Sequence, residues 1–495
     1  MLISSKLLRE ALEKGYQIEP KAFELINKLD IEELTINKII ELTIQKKIDN
    51  NQEKKITEND IKLILTKFIL DNEKDSLKDT EKIETKLEVI KTIDENNYIL
   101  EGKKGFEELF RSRYNKLLKI ISSRPDYVKI EKISSINQKK VKDNVKISGL
   151  VMEKRIRRNN LVLTIDDNTG KIDTLVINKK IMNDVKQILL DSFVLLDIRI
   201  NERGTAILNN ILQPDVPEHL PIFSKKRVYA VLTSDIHVGS KNFLKKEFEM
   251  FVAWLNEKEN KKEKEIIRRI KYIIIAGDSI DGIGVYPKQE LDLEELNVKK
   301  QYTYLSHLLE QIPQSIEIII IPGNHDPVRQ ALPQPCIPDF YSEDLLKLSN
   351  VKIIGNPSYI SIHGIKILVY HGRSLDDVIA TTPGLNFNRP ALAMKSLLKA
   401  RHLSPVYGGR TEIAPDFEDN LVIEEVPDIF HSGHIHTLDQ ERYKGTIILN
   451  SGTWQSQTPF QLKMGIIPVP AVIPIIDLST LDVITKDFKN LEFIS

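Results

Sequence analysis

Five apolar runs in the second half of the chain each end in a short polar cluster, and this pattern limits the folds that the chain can adopt. The runs are RVYAVLTSD, KYIIIAGD, IEIIIIPGNHD, GIKILVYHG and VPDIFHSGHIH. Continuous apolar runs bounded by glycine and polar residues are typical of strands in a sheet that helices cover. Because strand ends in such layered folds deliver their residues to one edge, the pattern predicts an α/β layered domain with its polar clusters together.

The clusters supply the oxygen and imidazole donors that transition metals prefer. They are Asp235-Ile236-His237, Gly277-Asp278, Gly323-Asn324-His325-Asp326, His371-Gly372 and Gly433-His434-Ile435-His436. Carboxylate and amide oxygens mixed with imidazoles suit Mn, Fe or Zn and argue against an all-oxygen calcium site. Since six of the ten histidines lie in or beside these clusters, scattered surface histidines are the weaker interpretation.

This donor set predicts two-metal phosphoester chemistry. Two cations about 3.5–4 Å apart neutralise a phosphate and stabilise the attacking and leaving oxygens of an in-line displacement. Asp278 suits the bridging position, because each of its two oxygens can bind one ion. Asp281 and Asp326 are expected to orient ligands rather than to bind metal. The remaining histidines are expected to lie outside the ligand set: His219, His307, His363, His402 and His431.

The first part of the chain changes character twice. Residues 1–69 are predicted to form a small helical module, since Ile61, Ile64 and Leu65 recur at helical spacing and Thr57 with Asp60 resembles a capping box. Residues 70–105 include the charged stretch DNEKDSLKDTEKIETK, which predicts a flexible linker or, alternatively, a solvated helix. An amphipathic helix is then predicted over 106–125, with its arginines and lysines on a solvated face.

Residues 106–218 are predicted to combine that helix with an oligonucleotide-binding-type barrel. About five short segments alternate with period two and are separated by polar turns such as DDNTG. The basic run at one hairpin tip is a candidate DNA-binding site: Lys154, Arg155, Arg157 and Arg158. Few aromatic residues are present for base stacking, so a structural spacer is an equal alternative.

Global properties leave the partner open. The chain has 495 residues, enough for about three domains. Its 71 basic and 71 acidic residues balance, so overall charge gives no sign of nucleic-acid binding. The single cysteine and an N-terminus with charges in place of an apolar core predict a cytoplasmic protein without an export signal or membrane span.

The motifs resemble the calcineurin-like metallophosphoesterase superfamily, and more closely the small subunits of archaeal family D DNA polymerases. The matching stretches are LTSDIHVGS, AGDSIDGIGVYPKQ, IPGNHDPVR, VYHGRSLDD, PVYGGRTEIAPD, FHSGHIHT and NSGTWQSQTPFQ. The resemblance covers about residues 106–495. It implies an α+β multidomain protein with a small N-terminal helical module, an OB-type barrel and a phosphoesterase sandwich over 219–495.

The resemblance also implies a ligand set. The first metal is assigned to Asp235, His237, Asp278 and His436, and the second to Asp278, Asn324, His371 and His434. His325 is implied as the acid or transition-state stabiliser. Two divalent ions are expected, with Mn preferred and Fe, Zn or Mg as alternatives.

The implied activity is a 3′-to-5′ exonuclease that trims mispaired primer ends. Its implied partners are primer–template DNA and a large polymerase subunit, with a sliding clamp or primase as a candidate for the N-terminal module. Three alternatives share parts of the pattern: a catalytically silent assembly subunit, a double-strand-break-repair nuclease and a protein phosphatase. The barrel disfavours the last two, and the complete ligand set disfavours the first.

Overall fold

The structure is a computed structural model that describes most of the chain. The described residues are 15–28, 42–44, 47, 53–65, 83–94, 102–124, 130–136, 142–157, 160–256 and 263–494. They divide into two compact units, Met1–Glu84 and Thr85–Ser495. Among these residues, no helix combines the length and the apolarity that a membrane span requires.

Among its described residues, the N-terminal unit contains helical segments and a short parallel pair of strands, and residues 1–14 lie outside the described residues. A helix spans Pro20–Lys28, residues 58–65 are helical, and β1 (Gln17–Ile18) pairs with β2 (Lys55–Ile56). The capping box is confirmed: Thr57 N donates to Asp60 Oδ2 at 2.8 Å, and Asp60 N donates to Thr57 Oγ1 at 3.3 Å. Ile61 and Ile64 are buried, as the helical spacing predicted.

A closed barrel of five strands follows in the second unit. Its strands are β4 (Lys142–Arg157), β5 (Asn160–Asp167), β6 (Gly170–Val176), β7 (Phe193–Ile200) and β8 (Ala206–Leu212), in the order β4-β5-β6-β8-β7. Short helices at Ile133–Ile136 and Lys179–Gln187 accompany them. The period-two alternation places valine, leucine and isoleucine inside the barrel, which confirms the predicted barrel.

Two sheets form the rest of this unit. The first has the order β12-β11-β10-β9-β18-β19-β20, and the second has the order β16-β17-β15-β14-β13-β3. Their bounds are β3 Leu87–Lys91, β9 Tyr229–Thr233, β10 Ile270–Ala276, β11 Glu317–Ile321, β12 Val351–Ile353, β13 Ser358–Ile362, β14 Ile365–Tyr370, β15 Ile429–Ser432, β16 Asp439–Tyr443, β17 Thr446–Asn450, β18 Val472–Asp477, β19 Asp482–Asp487 and β20 Glu492–Ile494. Strands β9 to β12 are parallel, as are β14, β15 and β17.

Helices cover one face of each sheet. Lys245–Leu255, Lys264–Arg269, Val298–Glu310 and Asp339–Leu346 pack against the first sheet, and Leu375–Thr381 and Pro390–Ala400 pack against the second. A further helix spans Pro459–Met464, and a 3₁₀ turn spans Gln289–Leu291. The predicted layered sandwich is therefore confirmed, and the carboxyl ends of its central strands carry the polar clusters.

The linker prediction is wrong for part of 70–105. Strand β3 pairs antiparallel with β13 and so adds an edge strand to the second sheet. Lys86 N donates to Tyr272 Oη at 2.6 Å, and Gly355 N donates to Thr92 Oγ1 at 2.9 Å, which fixes both ends of the segment. The charged residues before β3 dominate the composition of 70–105, and for this reason the composition did not indicate a five-residue strand. Residues 66–82 and 95–101 lie outside the described residues.

The predicted amphipathic helix spans Gly102–Ser122, but one of its arginines is buried rather than solvated. Arg113 Nε donates to Asp419 Oδ2 at 2.8 Å, and its Nη1 donates to the carbonyl of Pro405 at 2.8 Å. His402 Nε2 lies 2.9 Å from the same Asp419 oxygen. The helix also contacts the barrel, where the Tyr114 and Phe193 rings lie 5.4 Å apart. It therefore joins the barrel to the sandwich.

Substituting Arg113 with alanine should destabilise the chain. Removing one partner of a buried ion pair leaves an uncompensated charge, at a cost of about 3–5 kcal/mol. Denaturant unfolding followed by tryptophan fluorescence measures this, because both tryptophans, Trp254 and Trp454, are buried in the sandwich. Arg111→Ala is the matched control, since Arg111 is exposed and its loss should change stability by less than about 0.5 kcal/mol. Equal stability of the two variants would contradict the assignment.

His402 should contribute an acid-sensitive part of the stability. Burial, with the nearby Arg113 charge, lowers the pKa of His402 from 6.5 to about 4. The unfolded chain therefore takes up this proton first, and stability is lost as the pH falls from about 6.5 to about 4. Unfolding midpoints at pH 7 and pH 4.5 should differ less in His402→Gln than in the parent chain. His307→Gln, at an exposed position, should behave as the parent does.

Candidate metal centre

Several residues of the polar clusters have an unusual backbone conformation. Five of the predicted ligands have positive φ, between 50° and 70°: Asp235, His237, Asp278, His434 and His436. This region is strained for residues other than glycine, and such strain persists only where the surroundings fix it. Asp235 N donates to Gly277 O at 3.0 Å, and His237 N donates to Asp278 O at 3.1 Å. The strand ends therefore hold one another in the strained form that turns the donors inward.

One group of donors consists of Asp235, His237 and His436. Nε2 of His237 lies 3.1 Å from Nε2 of His436, and Asp235 Oδ1 lies 3.2 Å from the latter atom. The donor atoms of this group all lie within 4.8 Å of one another. Asp235 Oδ1 is buried and makes no well-formed hydrogen bond to a described residue. A buried carboxylate oxygen facing two imidazole nitrogens fits a cation better than it fits any group of the chain.

A second group consists of Asp278, Asn324, His371 and His434. Nε2 of His371 lies 3.3 Å from Asp278 Oδ2 and 3.1 Å from Asn324 Oδ1. The rings of His371 and His434 lie 5.1 Å apart. All seven predicted ligands therefore lie in these two groups, and their carboxylate, amide and imidazole donors fit the transition metals that the sequence predicted.

Asp278 lies between the two groups, but in a different way from the one expected. Its Oδ2 is 3.3 Å from Nε2 of His371 and 3.9 Å from Nε2 of His237, so this single oxygen faces both groups. Its Oδ1 accepts a hydrogen bond of 2.8 Å from His325 N. The expectation that each oxygen binds one ion therefore does not match the geometry, in which only Oδ2 faces both groups.

Hydrogen bonds fix the orientation of the imidazoles. His371 Nδ1 donates to Ala276 O at 2.8 Å, and His237 Nδ1 donates to Asp281 Oδ1 at 2.7 Å. In both rings Nε2 therefore faces the centre. Asp281 thus orients a ligand, as predicted. Asp326 instead accepts from Tyr302 Oη at 2.6 Å and from Gly323 N at 2.7 Å, which secures the loop that carries Asn324.

Two orienting residues were missed by the sequence analysis. Gln461 Nε2 lies 2.7 Å from Nδ1 of His436, and Asp376 Oδ2 lies 3.3 Å from Nε2 of His434. Both belong to stretches quoted for the family resemblance, NSGTWQSQTPFQ and VYHGRSLDD. The stretches could have suggested them, but only the structure shows which ligand each one contacts.

The acidic and imidazole groups stabilise each other's charge. Burial by itself would raise the pKa of Asp278, but the His371 and His325 imidazoles hold that pKa well below its usual value. Burial likewise opposes protonation of His371, yet the Asp278 carboxylate raises its pKa to about 9. The centre therefore keeps Asp278 ionised and His371 protonated, and cation binding would release the His371 proton.

His325 lies at the edge of the centre, where substrate can reach it. Its ring is edge-on to His237 with centroids 4.7 Å apart, and its side chain is 15% exposed. Nδ1 donates to Asp281 O at 2.8 Å, which leaves Nε2 for proton exchange. This partly exposed position suits an acid more than a metal ligand.

The other histidines lie apart from both groups of donors. His431 is buried, and Nε2 lies 3.2 Å from Ser451 Oγ. Burial lowers the pKa of His431 to about 3, so it stays neutral. His363 occupies the predicted hairpin turn with φ of 51°. His402 belongs to the Arg113 cluster, and His219 lies 3.6 Å from Asp428.

Two residues of the predicted basic run, Lys154 and Arg155, form contacts with other residues of the barrel region. Lys154 Nζ donates to Ile188 O at 2.6 Å and to Lys186 O at 3.2 Å. Its charge therefore lies at the C-terminal end of the helix Lys179–Gln187. Arg155 forms ion pairs with Glu153 and Asp173. The Arg157 side chain and Arg158 lie outside the described residues. These contacts favour a structural role for Lys154, and DNA binding by the run stays a prediction.

Known proteins similar in sequence to this chain include small subunits of DNA polymerases. Residues 230–439 match the model of the B-subunit family of DNA polymerases alpha and epsilon. The DNA polymerase II small subunit of Archaeoglobus fulgidus is 39% identical over 478 residues, covering 95% of this chain and 96% of that protein. The Pyrococcus furiosus protein of the same name is 42% identical over 404 residues, which cover 79% of this chain. This chain belongs to the family of archaeal DNA polymerase II small subunits.

The relatives differ in length from this chain. The match covers 65% of the Pyrococcus furiosus protein, so the chain spans slightly less than two thirds of that relative. Two solved structures are also similar: Vps29 with Zn from Entamoeba histolytica (14% identity, TM-score 0.27, 54% of this chain and 96% of that chain) and an archaeal phosphodiesterase (15% identity, TM-score 0.27, 52% and 98%). Both TM-scores are below 0.5, and the family assignment rests on the sequence relatives.

Metal binding should stabilise the chain and should require Asp278. A ligand at one hundred times its dissociation constant stabilises the folded state by about 2.7 kcal/mol. Added Mn²⁺ is therefore expected to raise the melting temperature, and chelation should reverse the change. Elemental analysis after dialysis should find two ions per chain, and fewer than one in Asp278→Ala. Asp482→Asn, at an exposed hairpin position, should keep both, and full metal content in Asp278→Ala would contradict the site.

Proposed function

We propose that the chain is a polymerase small subunit whose metal centre hydrolyses DNA from its 3′ end. The observation that carries the proposal is Asp278 Oδ2, which faces His371 at 3.3 Å and His237 at 3.9 Å within two groups of buried donors. Asp235, His237, Asp278 and His436 would hold one ion, and Asp278, Asn324, His371 and His434 the other. When bound, two ions neutralise the phosphate and favour in-line attack by water. Mn is the proposed metal, with Fe, Zn and Mg as alternatives.

The chain's own residues supply the proton chemistry. His325 lines the cavity beside the centre, and the Asp281 carbonyl fixes its Nδ1, which leaves Nε2 for proton transfer. We propose that His325 donates a proton to the leaving 3′ oxygen of the penultimate nucleotide. The P–O3′ bond breaks, water provides the new oxygen on phosphorus, and a nucleoside monophosphate leaves. A positioned general acid typically contributes about 10²–10⁴-fold in rate.

The proposed partners follow from the family. The relatives are named as small subunits of a DNA polymerase, and we propose that this chain binds a large polymerase subunit and acts on primer–template DNA inside the cell. A sliding clamp or primase contact of the N-terminal module remains a prediction. A double-strand-break-repair nuclease receives no support from these relatives. A silent assembly subunit remains the competing hypothesis, and the intact donor groups argue against it.

The proposal predicts manganese-dependent release of nucleotides from a primer with a mismatched 3′ end. Asp278→Asn should abolish the release, because the negative charge of the carboxylate that faces both donor groups is lost. His325→Ala should keep its metal yet lower the cleavage rate by about 10²–10⁴-fold, measured by single-turnover assays with the purified full chain.

Asp482→Asn serves as the surface control and should cleave at the parent rate. Metal-loaded parent chain without any cleavage, alone or with the large subunit, would favour the silent assembly role. Cleavage retained in Asp278→Asn would place the activity elsewhere.

A further inference from the structure

A cavity of about 380 Å³ lies beside the proposed metal centre. His325 lines it where it borders the centre. Its volume is near the lower end of the roughly 300–1,000 Å³ that small-molecule sites occupy. The space therefore suits a group about as large as one nucleotide, and it is too small for a duplex.

Two arginines give the cavity a cationic wall. Arg373 and Arg410 both line it, and Arg410 is exposed while Arg373 is half-buried. Within the described part of the chain, neither guanidinium forms a hydrogen bond or a close ion pair. Burial raises the pKa of the nearby Asp376 carboxyl, and His434 with both guanidiniums lowers it. A planar guanidinium binds phosphate oxygens through two parallel hydrogen bonds. The pair therefore favours a phosphate ligand.

The backbone around these arginines is fixed to a single helix. Arg373 lies two residues before the helix Leu375–Thr381. Within that helix, Asp377 accepts hydrogen bonds from Arg410 N at 2.7 Å and from Thr411 N at 2.9 Å. A Cβ at Gly409 would lie 2.5 Å from the Asp377 carboxylate, so glycine is required for this close approach. The shared anchor fixes the backbone that carries Arg410 beside the cavity before any ligand binds, which reduces the ordering cost of binding.

The loop that follows Asp281 supplies an apolar wall. Ile283 lines the cavity and is 48% exposed, and the exposed Tyr286 ring lies 6.5 Å from the His325 ring. Gly282 N donates to the buried Gln301 side chain at 2.9 Å, which secures the start of the loop. Exposed apolar and aromatic groups beside a phosphate site are suited to stack on a base. Glu412, which also lines the cavity, supplies an acceptor for a sugar hydroxyl.

We propose that this cavity is the subsite for the 3′-terminal nucleotide, which it binds as a deoxynucleoside 5′-monophosphate. Arg373 and Arg410 hold the phosphate end, Ile283 contacts the base, and Glu412 accepts from the 3′ hydroxyl. The inference rests on the proposed nuclease function, because that reaction produces this nucleotide. In that reaction, the cavity would select a single terminal nucleotide over an internal segment of a strand.

Calorimetric titration of the full chain with deoxyadenosine monophosphate, in the presence of Mn²⁺, tests the subsite directly. The nucleotide should bind more tightly than inorganic phosphate and more tightly than deoxyadenosine. Arg410→Ala should weaken nucleotide binding at least about tenfold, and Arg410→Lys should restore part of it. Ile283→Ser should weaken binding of the nucleotide but not of phosphate. Arg442→Ala, an exposed arginine elsewhere in the sandwich, should bind as the parent does.

Equal affinity for the nucleotide and for phosphate would overturn the subsite, as would unchanged nucleotide binding in both Arg410→Ala and Ile283→Ser. These outcomes are separate from failure of the proposed function. A chain that binds the nucleotide in this way yet releases none from a primer would retain the subsite and lose the nuclease assignment. A chain that degrades primers, but whose Arg410→Ala and Ile283→Ser variants bind the nucleotide as the parent does, would retain the nuclease assignment and lose the subsite.

Discussion

The buried carboxylate of Asp278 is the contact on which the arrangement of the second unit depends. Its Oδ2 faces imidazoles from both groups, and its Oδ1 accepts from the backbone of the loop after β11. A buried, ionised carboxylate in this position would destabilise the fold without positively charged partners. The imidazoles and the proposed cations provide those partners. The strand ends of both sheets must therefore meet, and the strained backbone at five predicted ligands is a consequence of that meeting.

A second constraint joins the barrel to the sandwich. Arg113 lies on the helix Gly102–Ser122, which touches barrel strand β7 through aromatic packing, and its charge is neutralised by Asp419 of the sandwich. Asp419 also contacts His402, so Arg113 and His402, which are distant in sequence, share one carboxylate. The barrel is thus held in a fixed relation to the metal centre. That relation would matter for a protein that acts on a strand longer than its catalytic site.

Much of the fold was predictable because its signals are local. Period-two alternation identified the barrel strands, and apolar runs ending in polar clusters identified the strands that carry the predicted ligands. Strand β3 was missed, because a short edge strand within charged surroundings has too few apolar residues to be recognised. Arg113 was misassigned for a related reason. Helical periodicity places a residue on a face of its helix, but another segment of the chain decides whether that face is solvated.

The sequence by itself determined the donor types and their order along the chain, since the type of each residue fixes its donor atom and the metals that this atom prefers. Only the tertiary structure decided that a single oxygen of Asp278 faces both donor groups, that Gln461 and Asp376 contact ligands, and that Arg373 and Arg410 share a cavity with His325. These are distances between segments far apart in sequence, and they exist only after the two sheets have packed together.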